Sequence, residues 1–378
     1  MTILAPGGTI GMLGGGQLGR MTALAARVMG YKVVVLDPTP NCPAGQVANR
    51  HIVAPYDDDR AIADLREAVD VVTLEFENLP VATVRRLAHG LPTRPGAGVL
   101  SICQDRLAER HFLARLGIAT APYATIVDEA SRAAAASMVP FPALLKTATQ
   151  GYDSKGQRRI AAVADLSTAH AQLGGVPCIL EEVLRFEREI SVIVARDREG
   201  RMATYEPAEN VHAAGILDTS SVPAALPASQ AAAARELALT IAQDLDLVGV
   251  LAVELFVLPD GRLVVNEMAP RPHNSGHWSI EACRTSQFEQ QARTVVGAPV
   301  GPTELLAPAA TANLLGDLWK GGTPRWDRVL ALPEVKLHLY GKDEPRRGRK
   351  MGHLTALGPT AEAARERVLA ARGLLAPG

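Results

Sequence analysis

Short apolar blocks separated by glycine, proline and acidic turns run the length of the chain, and their periodicity predicts its elements. Thr9–Leu13 is largely apolar, as a strand buried on both faces is. Residues 18–29 repeat apolar positions at helical spacing and stop at Gly30, a residue suited to the left-handed conformation that follows a helix. Residues 32–36 predict a second strand, completing a βαβ unit, and 69–76 a third. A helix begins near Val81, Pro92-Thr93-Arg94-Pro95-Gly96 marks a boundary, and Asp105 is placed to cap a helix over 106–116 that Gly117 closes. Further strands are predicted at 143–146, 158–162, 178–184 and 189–195, with an alanine-rich amphipathic helix over 228–245. Residues 251–258 and 262–268 are strand patterns around Pro259-Asp260-Gly261, a hairpin signal because Asp and Gly tolerate positive φ. Strands near 311–315 and 336–340 and a helix over 361–375 close the chain. The alternation implies an α/β protein of three units: 1–102 with a Rossmann-like parallel sheet, 103–298, and a small α+β unit at 299–378.

Composition narrows the class. The 378 residues are 47% hydrophobic, enough for two or three cores. A net charge of −1 with mixed signs leaves no nucleic-acid footprint. The absence of an 18-residue apolar run and of a signal-peptide pattern predicts no membrane association and a cytoplasmic location. Cys42, Cys103, Cys178 and Cys283 are widely spaced, which fits reduced thiols better than disulfides or a zinc site. Only seven of the 39 basic residues are lysines. Four of them, Lys146, Lys155, Lys342 and Lys350, fall in segments that carry candidate chemistry.

Counting outward from a two-residue loop at Asp260-Gly261 sets Pro259 against Arg262 and Glu254 against Glu267, with Cβ atoms roughly 4.5–5.5 Å apart. Two carboxylates that close repel. A hard dication with oxygen ligands and a phosphate partner, ordinarily magnesium, would relieve them, with Asn266 adding a neutral donor. The alternative is a charged edge strand facing solvent. Gly14-Gly15-Gly16-Gln17-Leu18-Gly19, with Asp37 at the end of the next strand, has the spacing of a dinucleotide turn that presents backbone N–H groups to an anion, or of a tight turn holding helix to sheet. Glu75 and Asn78 follow a strand, where α/β sheets collect ligands, or cap the next helix. Lys146 ends a strand, and the polar, glycine-bounded stretch 147–157 carries Lys155; it reads as a lid over phosphates, without the Walker order, or as a plain hairpin. His212 is a structural residue or a ligand. The loop 270–278 gathers Arg271, His273, Asn274, Ser275 and His277, a density of donors typical of functional loops. The basic run 346–353 is a solvated surface, or a clamp if a phosphorylated substrate lies beside it.

Taken in order, these segments resemble the ATP-grasp ligases over nearly the whole chain, and within them the 5-(carboxyamino)imidazole ribonucleotide synthetases. The matching motifs are GGGQLGRM at 14–21, LDPTPNCPAGQVA at 36–48, EFEN at 75–78, GYDSKGQ at 151–157, NEMAPRPHNSGHW at 266–278, SQFEQ at 286–290 and GRKMGH at 348–353. Ser154 and Lys155 stand where the family usually has glycine and often arginine. The resemblance implies the three-domain ATP-grasp fold with a lid subdomain at about 120–183. It also implies ATP-dependent carboxylation of 5-aminoimidazole ribonucleotide (AIR) by bicarbonate, through carboxyphosphate, releasing ADP and phosphate.

By the same resemblance Arg106, Lys146 and the lid residues Gly151, Tyr152, Asp153, Ser154, Lys155, Gly156 and Gln157 would hold the nucleotide phosphates. Glu181, Glu182, Val183 and Leu184 would read adenine, Glu189 the ribose, and His212 would also lie at the nucleotide. Glu254 and Glu267, assisted by Asn266, would carry magnesium or manganese. Gly16, Gln17, Leu18, Lys342, Arg349 and Lys350 would take the ribonucleotide phosphate, and Glu75 its ribose. Tyr152, Asp153, Arg271, His273 and Asn274 would surround the amine and bicarbonate. Asp153, Lys155, Arg271 and His273 are the candidate catalytic residues, with Asp153 or His273 accepting the proton. The implied partners are small molecules and a second copy of the chain. Rival readings are an NAD-dependent oxidoreductase resting on Gly14–Gly19 and Asp37, an ATP-grasp enzyme with another acceptor (a formate-dependent glycinamide ribonucleotide transformylase or a biotin carboxylase), and a nucleotide-binding module without turnover.

Overall fold

The N-terminal strands are largely apolar along their interior because both faces of their sheet are covered. Val33 and Val35 point into one core, while Val34 and Leu36 point into another. The computed structural model describes residues 2–151 and 156–376, so the lid residues Tyr152, Asp153, Ser154 and Lys155 lie outside the described residues. The first unit comprises β1 (Thr9–Leu13), α1 (Gln17–Val28), β2 (Lys32–Leu36), β3 (Arg50–Ile52), α2 (Asp59–Ala68) and β4 (Val71–Leu74). Its strands form a parallel sheet in the order β3-β2-β1-β4. The third predicted strand is shorter than its apolar run, since Val69 caps α2 and the chain leaves the sheet at Glu75. β3 and α2 were not evident in the apolar pattern. Helices α3 (Val81–Ala88), α4 (Ala97–Cys103) and α5 (Arg106–Arg115) follow, and Asp105 caps α5 by accepting from the N–H groups of Leu107 and Ala108.

A small antiparallel sheet comes next: β5 (Tyr123–Ile126), α6 (Glu129–Met138), β6 (Ala143–Thr147), β7 (Gln157–Ile160), α7 (Leu166–Gln172) and β8 (Cys178–Glu182). Its strand order is β5-β8-β6-β7, and Ile126, Leu145, Ile160 and Leu180 fill a core of its own.

The remaining strands belong to one nine-stranded sheet. They are β9 (Arg188–Arg196), β10 (Met202–Thr204), β11 (Ala208–Ala213) and β12 (Ile216–Val222), then, after α8 (Ala228–Asp244), β13 (Gly249–Val257) and β14 (Leu263–Ala269). Past α9 (Ser279–Ala282) and α10 (Gln287–Val295) come β15 (Ala309–Leu315), α11 (Trp326–Leu330), β16 (Val335–Leu339), β17 (Lys350–Leu357) and α12 (Ala361–Gly373). The order β14-β13-β9-β11-β12-β15-β17-β16, with β10 on β9, carries the sheet uninterrupted into the C-terminal unit. α10 ties this sheet to the first unit. Ala292 and Val295 pack among Ile10 and Met12, while Gln291 donates to Thr73 Oγ1 (2.7 Å) and accepts from Val250 N–H (2.9 Å).

The β13–β14 hairpin differs from the counted one in two places that cancel. Leu258 N–H donates to Arg262 O (2.9 Å) and Gly261 N–H to Leu258 O (2.8 Å), so the loop has three residues, with Gly261 at φ +84°. Arg262 therefore opposes Leu258, not Pro259. The pairing Leu255–Val265 then gives way to Glu254–Glu267, leaving Asn266 as a bulge. The two glutamates end up opposite one another, as counted, through two offsetting irregularities.

Candidate active site

The pair on β13 and β14 is uneven: Glu254 is buried and Glu267 exposed. Burial, then the charges of Glu267 and Glu189, push the Glu254 carboxyl well above the usual range, against the pull of Lys350 and Arg271. The local donors are carboxylate and amide oxygens, the hard set that suits magnesium. Among the described residues no cluster of three or more His, Cys, Asp or Glu could hold a metal. An ion here would thus take two carboxylates from the protein and the rest of its shell from phosphate or water, the habit of magnesium.

Lys146, near the end of β6, reaches Glu181 of β8 at 2.6 Å. The other oxygen of Glu181 accepts from Nε and Nη2 of Arg110 at 3.0 and 2.7 Å. Burial opposes ionisation of Glu181, yet Lys146 and Arg110 hold its carboxyl down at about 2. Each oxygen thus already accepts from a base, and Glu181 orients Lys146. Arg106 donates to Thr147 O (3.0 Å) and Gly151 O (3.2 Å), joining α5 to the base of the lid. Glu189 pairs with His212 at 3.0 Å. Glu182 ends β8, and Val183 and Leu184 continue from it toward β9.

The glycine turn packs around acids. Gly15 N–H donates to Asp37 (2.8 Å), and burial raises the Glu75 carboxyl against the pull of the Gly16 and Gly19 backbone. A Cβ on Gly15 would sit 2.2 Å from Cys42 Sγ, and one on Gly16 2.4 Å from Glu75 Oε1. The first-turn N–H groups of Gln17 and Leu18 have no intrahelical acceptors and lie at the mouth of α1. Asp37 also accepts from Tyr56 Oη (2.7 Å) and Thr39 N–H (2.8 Å) and is buried. An acid so occupied cannot take a cofactor ribose, which removes the physical basis of the oxidoreductase reading.

In the loop after β14, Arg271 forms a two-point ion pair with Glu77, which lies just beyond β4. Burial opposes ionisation of Glu77, but Arg271 holds it below the usual range. His273 Nδ1 lies 2.8 Å from Ser275 Oγ, and its Nε2 lies 3.5 Å from Glu254. Gln287 accepts from His273 N–H (2.8 Å) and donates to His273 O (2.7 Å). Burial, then Arg271 and Lys350, lower the His273 imidazole well below its ordinary value, so it is neutral. The Asn274 side-chain oxygen is buried without a protein partner.

Lys342 donates to Lys350 O at 2.7 Å, whereas the Arg349 guanidinium turns to Glu344 O of its own loop (2.8 Å). Five strand steps separate β13 from β17, roughly 24 Å in a flat sheet. The loop after β14 nonetheless reaches β17, where the His277 and His353 rings lie 4.7 Å apart, and the charge of Lys350 bears on Glu254 and His273.

The geometry adds Glu77, Glu109, Arg110 and Gln287 to the residues singled out from sequence. A signal for two of them existed: Glu109 and Arg110 lie three and four places after Arg106, on the same helix face. Glu77 and Gln287 carried none beyond their motifs.

Comparison with known proteins follows this geometry closely. Residues 8–104 match the ribonucleotide synthetase preATP-grasp domain, 111–288 the ATP-grasp domain, and 309–367 the phosphoribosylaminoimidazole carboxylase C-terminal domain. The N5-carboxyaminoimidazole ribonucleotide synthase of Brucella melitensis is 48% identical over 360 residues, 95% of this chain and 98% of that one. A crystal structure of an N5-carboxyaminoimidazole ribonucleotide synthetase in complex with ADP superposes with a TM-score of 0.92 at 43% identity, covering 98% of each chain. The Aspergillus clavatus synthase in complex with ADP and AIR gives 0.88 at 29% identity, covering 97% of this chain and 99% of that one.

Proposed function

Because the chain belongs to the N5-carboxyaminoimidazole ribonucleotide synthase family of ATP-grasp ligases, we propose a division of its reaction among the residues described above. The reaction is the ATP-dependent carboxylation of AIR in purine biosynthesis. Bicarbonate oxygen attacks the γ-phosphorus of ATP, ADP leaves, and carboxyphosphate forms. The exocyclic amine of AIR then attacks the carboxyl carbon, phosphate departs, and the amine loses a proton.

Lys146, oriented by Glu181, and Arg106 neutralise the transferring phosphates, for which positioning and charge are most of what a protein supplies. The backbone of Glu182 to Leu184 faces adenine, and Glu189 with His212 the ribose. Glu254 and Glu267, with Asn266, hold magnesium, which when bound neutralises the β- and γ-phosphate oxygens. Gln17 and Leu18 N–H groups with Lys342 and Lys350 take the AIR phosphate. Glu75 holds the glycine turn and faces the ribose. Arg271, fixed by Glu77, and Asn274 orient bicarbonate and amine. Neutral His273 or Asp153 accepts the proton, and residues 151–157, with Lys155, close over the intermediate to exclude water. The protein works as a cytoplasmic homodimer.

The opposed pair Glu254–Glu267, on which the charge of Lys350 bears, carries this reading, since a metal–nucleotide site and a phosphate site would then adjoin. An ADP-release assay tests it: release depends on bicarbonate, AIR and magnesium together, and ADP accumulating equally with another acceptor would overturn it.

A further inference from the structure

Helix α5 buries two adjacent charges, Glu109 and Arg110, each only 2% exposed. Neighbours on a helix diverge by about 100°, so even where the two side chains touch most of their hydrogen-bonding capacity is left for partners elsewhere. β14 supplies them. It is the edge strand of the nine-stranded sheet, and apart from the bridge that Val265 makes with residues 119–120 its outward N–H and C=O groups need acceptors and donors that no strand among the described residues provides. Arg110 Nη2 donates to Asn266 O (2.7 Å), and Glu109 Oε2 accepts from Met268 N–H (2.9 Å). Two side chains thus stand in for a missing strand, gripping the backbone on either side of Glu267. Arg110 Nη1 meets Glu109 Oε1 at 2.7 Å, and the same guanidinium grips Glu181, which grips Lys146.

We infer that Glu109 and Arg110 are positioning residues for ATP, a strut that fixes the spacing between the Lys146 ammonium on the lid sheet and the Glu267 carboxylate on the central sheet. Neither touches substrate. The inference rests on the proposed roles of Lys146 and Glu267. Its physical content is a single guanidinium that bridges two sheets which otherwise have separate cores, at the level where phosphate and metal must be held together.

Steady-state kinetics of Arg110→Met, Arg110→Lys, Glu109→Gln and Glu109→Leu, with ATP, AIR and magnesium each varied, tests it. Arg110→Met is expected to lower kcat/KM for ATP by about 10–100-fold and to raise the magnesium requirement, as loss of a ligand-orienting partner does, with KM for AIR unchanged. Arg110→Lys restores part of the loss. Glu109→Gln, whose amide oxygen still accepts from Met268, loses less than Glu109→Leu. In a double-mutant cycle, adding Arg110→Met to Lys146→Met costs less than it does in the parent protein. A folded Arg110→Met enzyme with a lowered Tm but unaltered ATP and magnesium dependence, or with ATP and AIR affected equally, would overturn the inference. If Arg110→Met fails to fold, Arg110→Lys and the two Glu109 variants decide. Should Lys146→Met and Glu267→Gln leave ATP turnover intact, it is the site assignment that fails rather than the strut.

Discussion

Two acidic clusters, one centred on Arg110 of α5 and one on Glu254 of β13, are built on opposite terms. Around Arg110, Glu109 and Glu181 face Arg110 and Lys146, so acids and bases balance inside the protein. Around Glu254, burial and the charges of Glu267 and Glu189 outweigh the pull of Lys350 and Arg271, and the histidine beside it is kept neutral by burial. The difference separates scaffold from site. Where the chain must hold its own geometry, charges are paired; where a ligand brings its own cation, they are left in mutual repulsion.

Breaking each cluster should therefore have opposite consequences. Arg110→Met, which strands two buried acids, is expected to cost about 3–5 kcal/mol of stability, read as a fall in Tm and in the denaturant midpoint. Glu254→Gln should cut kcat by roughly 10²–10³-fold, yet leave Tm unchanged or raised, because it removes a buried like-charge repulsion. A Glu254→Gln protein as destabilised as Arg110→Met would erase the contrast.

Proton linkage sharpens it further. Burial, against the pull of Arg110, raises Glu109 to about 7 from 4.5, whereas its neighbour Glu181 sits near 2. The folded state holds the Glu109 proton more tightly than the unfolded chain, so this contribution is full below about pH 4.5 and is lost as pH rises through 7. Its size is on the order of 3 kcal/mol. Glu181 has the reverse sign: its contribution is present above about pH 4.5 and is lost as pH falls toward 2. Denaturation midpoints between pH 5 and 8 should slope down in the parent and flatten in Glu109→Gln; an unchanged slope would assign it to another group.

Smaller effects follow away from the clusters. Lys350→Ala should raise KM for AIR about tenfold through one lost charged contact, with KM for ATP little changed. The reverse pattern would move the phosphate site elsewhere. Tyr56→Phe removes a hydrogen bond to Asp37 and should cost about 1 kcal/mol of stability, with no change in cofactor specificity.

Much of this was readable from residue order, for a physical reason in each case. Periodicity exposed the strands and helices that bury a face, and turn chemistry exposed the hairpin. The opposition of Glu254 and Glu267 was recovered although the loop is one residue longer than counted, because the Asn266 bulge restores the register. β3, three residues long, and α2, charged over most of its surface, left too faint a pattern. The deeper limit lay in who holds whom. Asp37 matched a cofactor fingerprint but serves the glycine turn, and Glu181, placed at the nucleotide by its motif, also orients Lys146. Nothing in linear spacing distinguishes an acid that meets a ligand from one that meets its own chain.

The uninterrupted sheet has a practical corollary for anyone trimming this molecule. A chain ended near residue 300 would lack β15, and β12 would then present the N–H and C=O groups of residues 219–222, which now pair with β15, to whatever strand came near. Such an edge invites pairing with other copies, so the shortened protein should aggregate instead of surviving as a smaller nucleotide-binding unit.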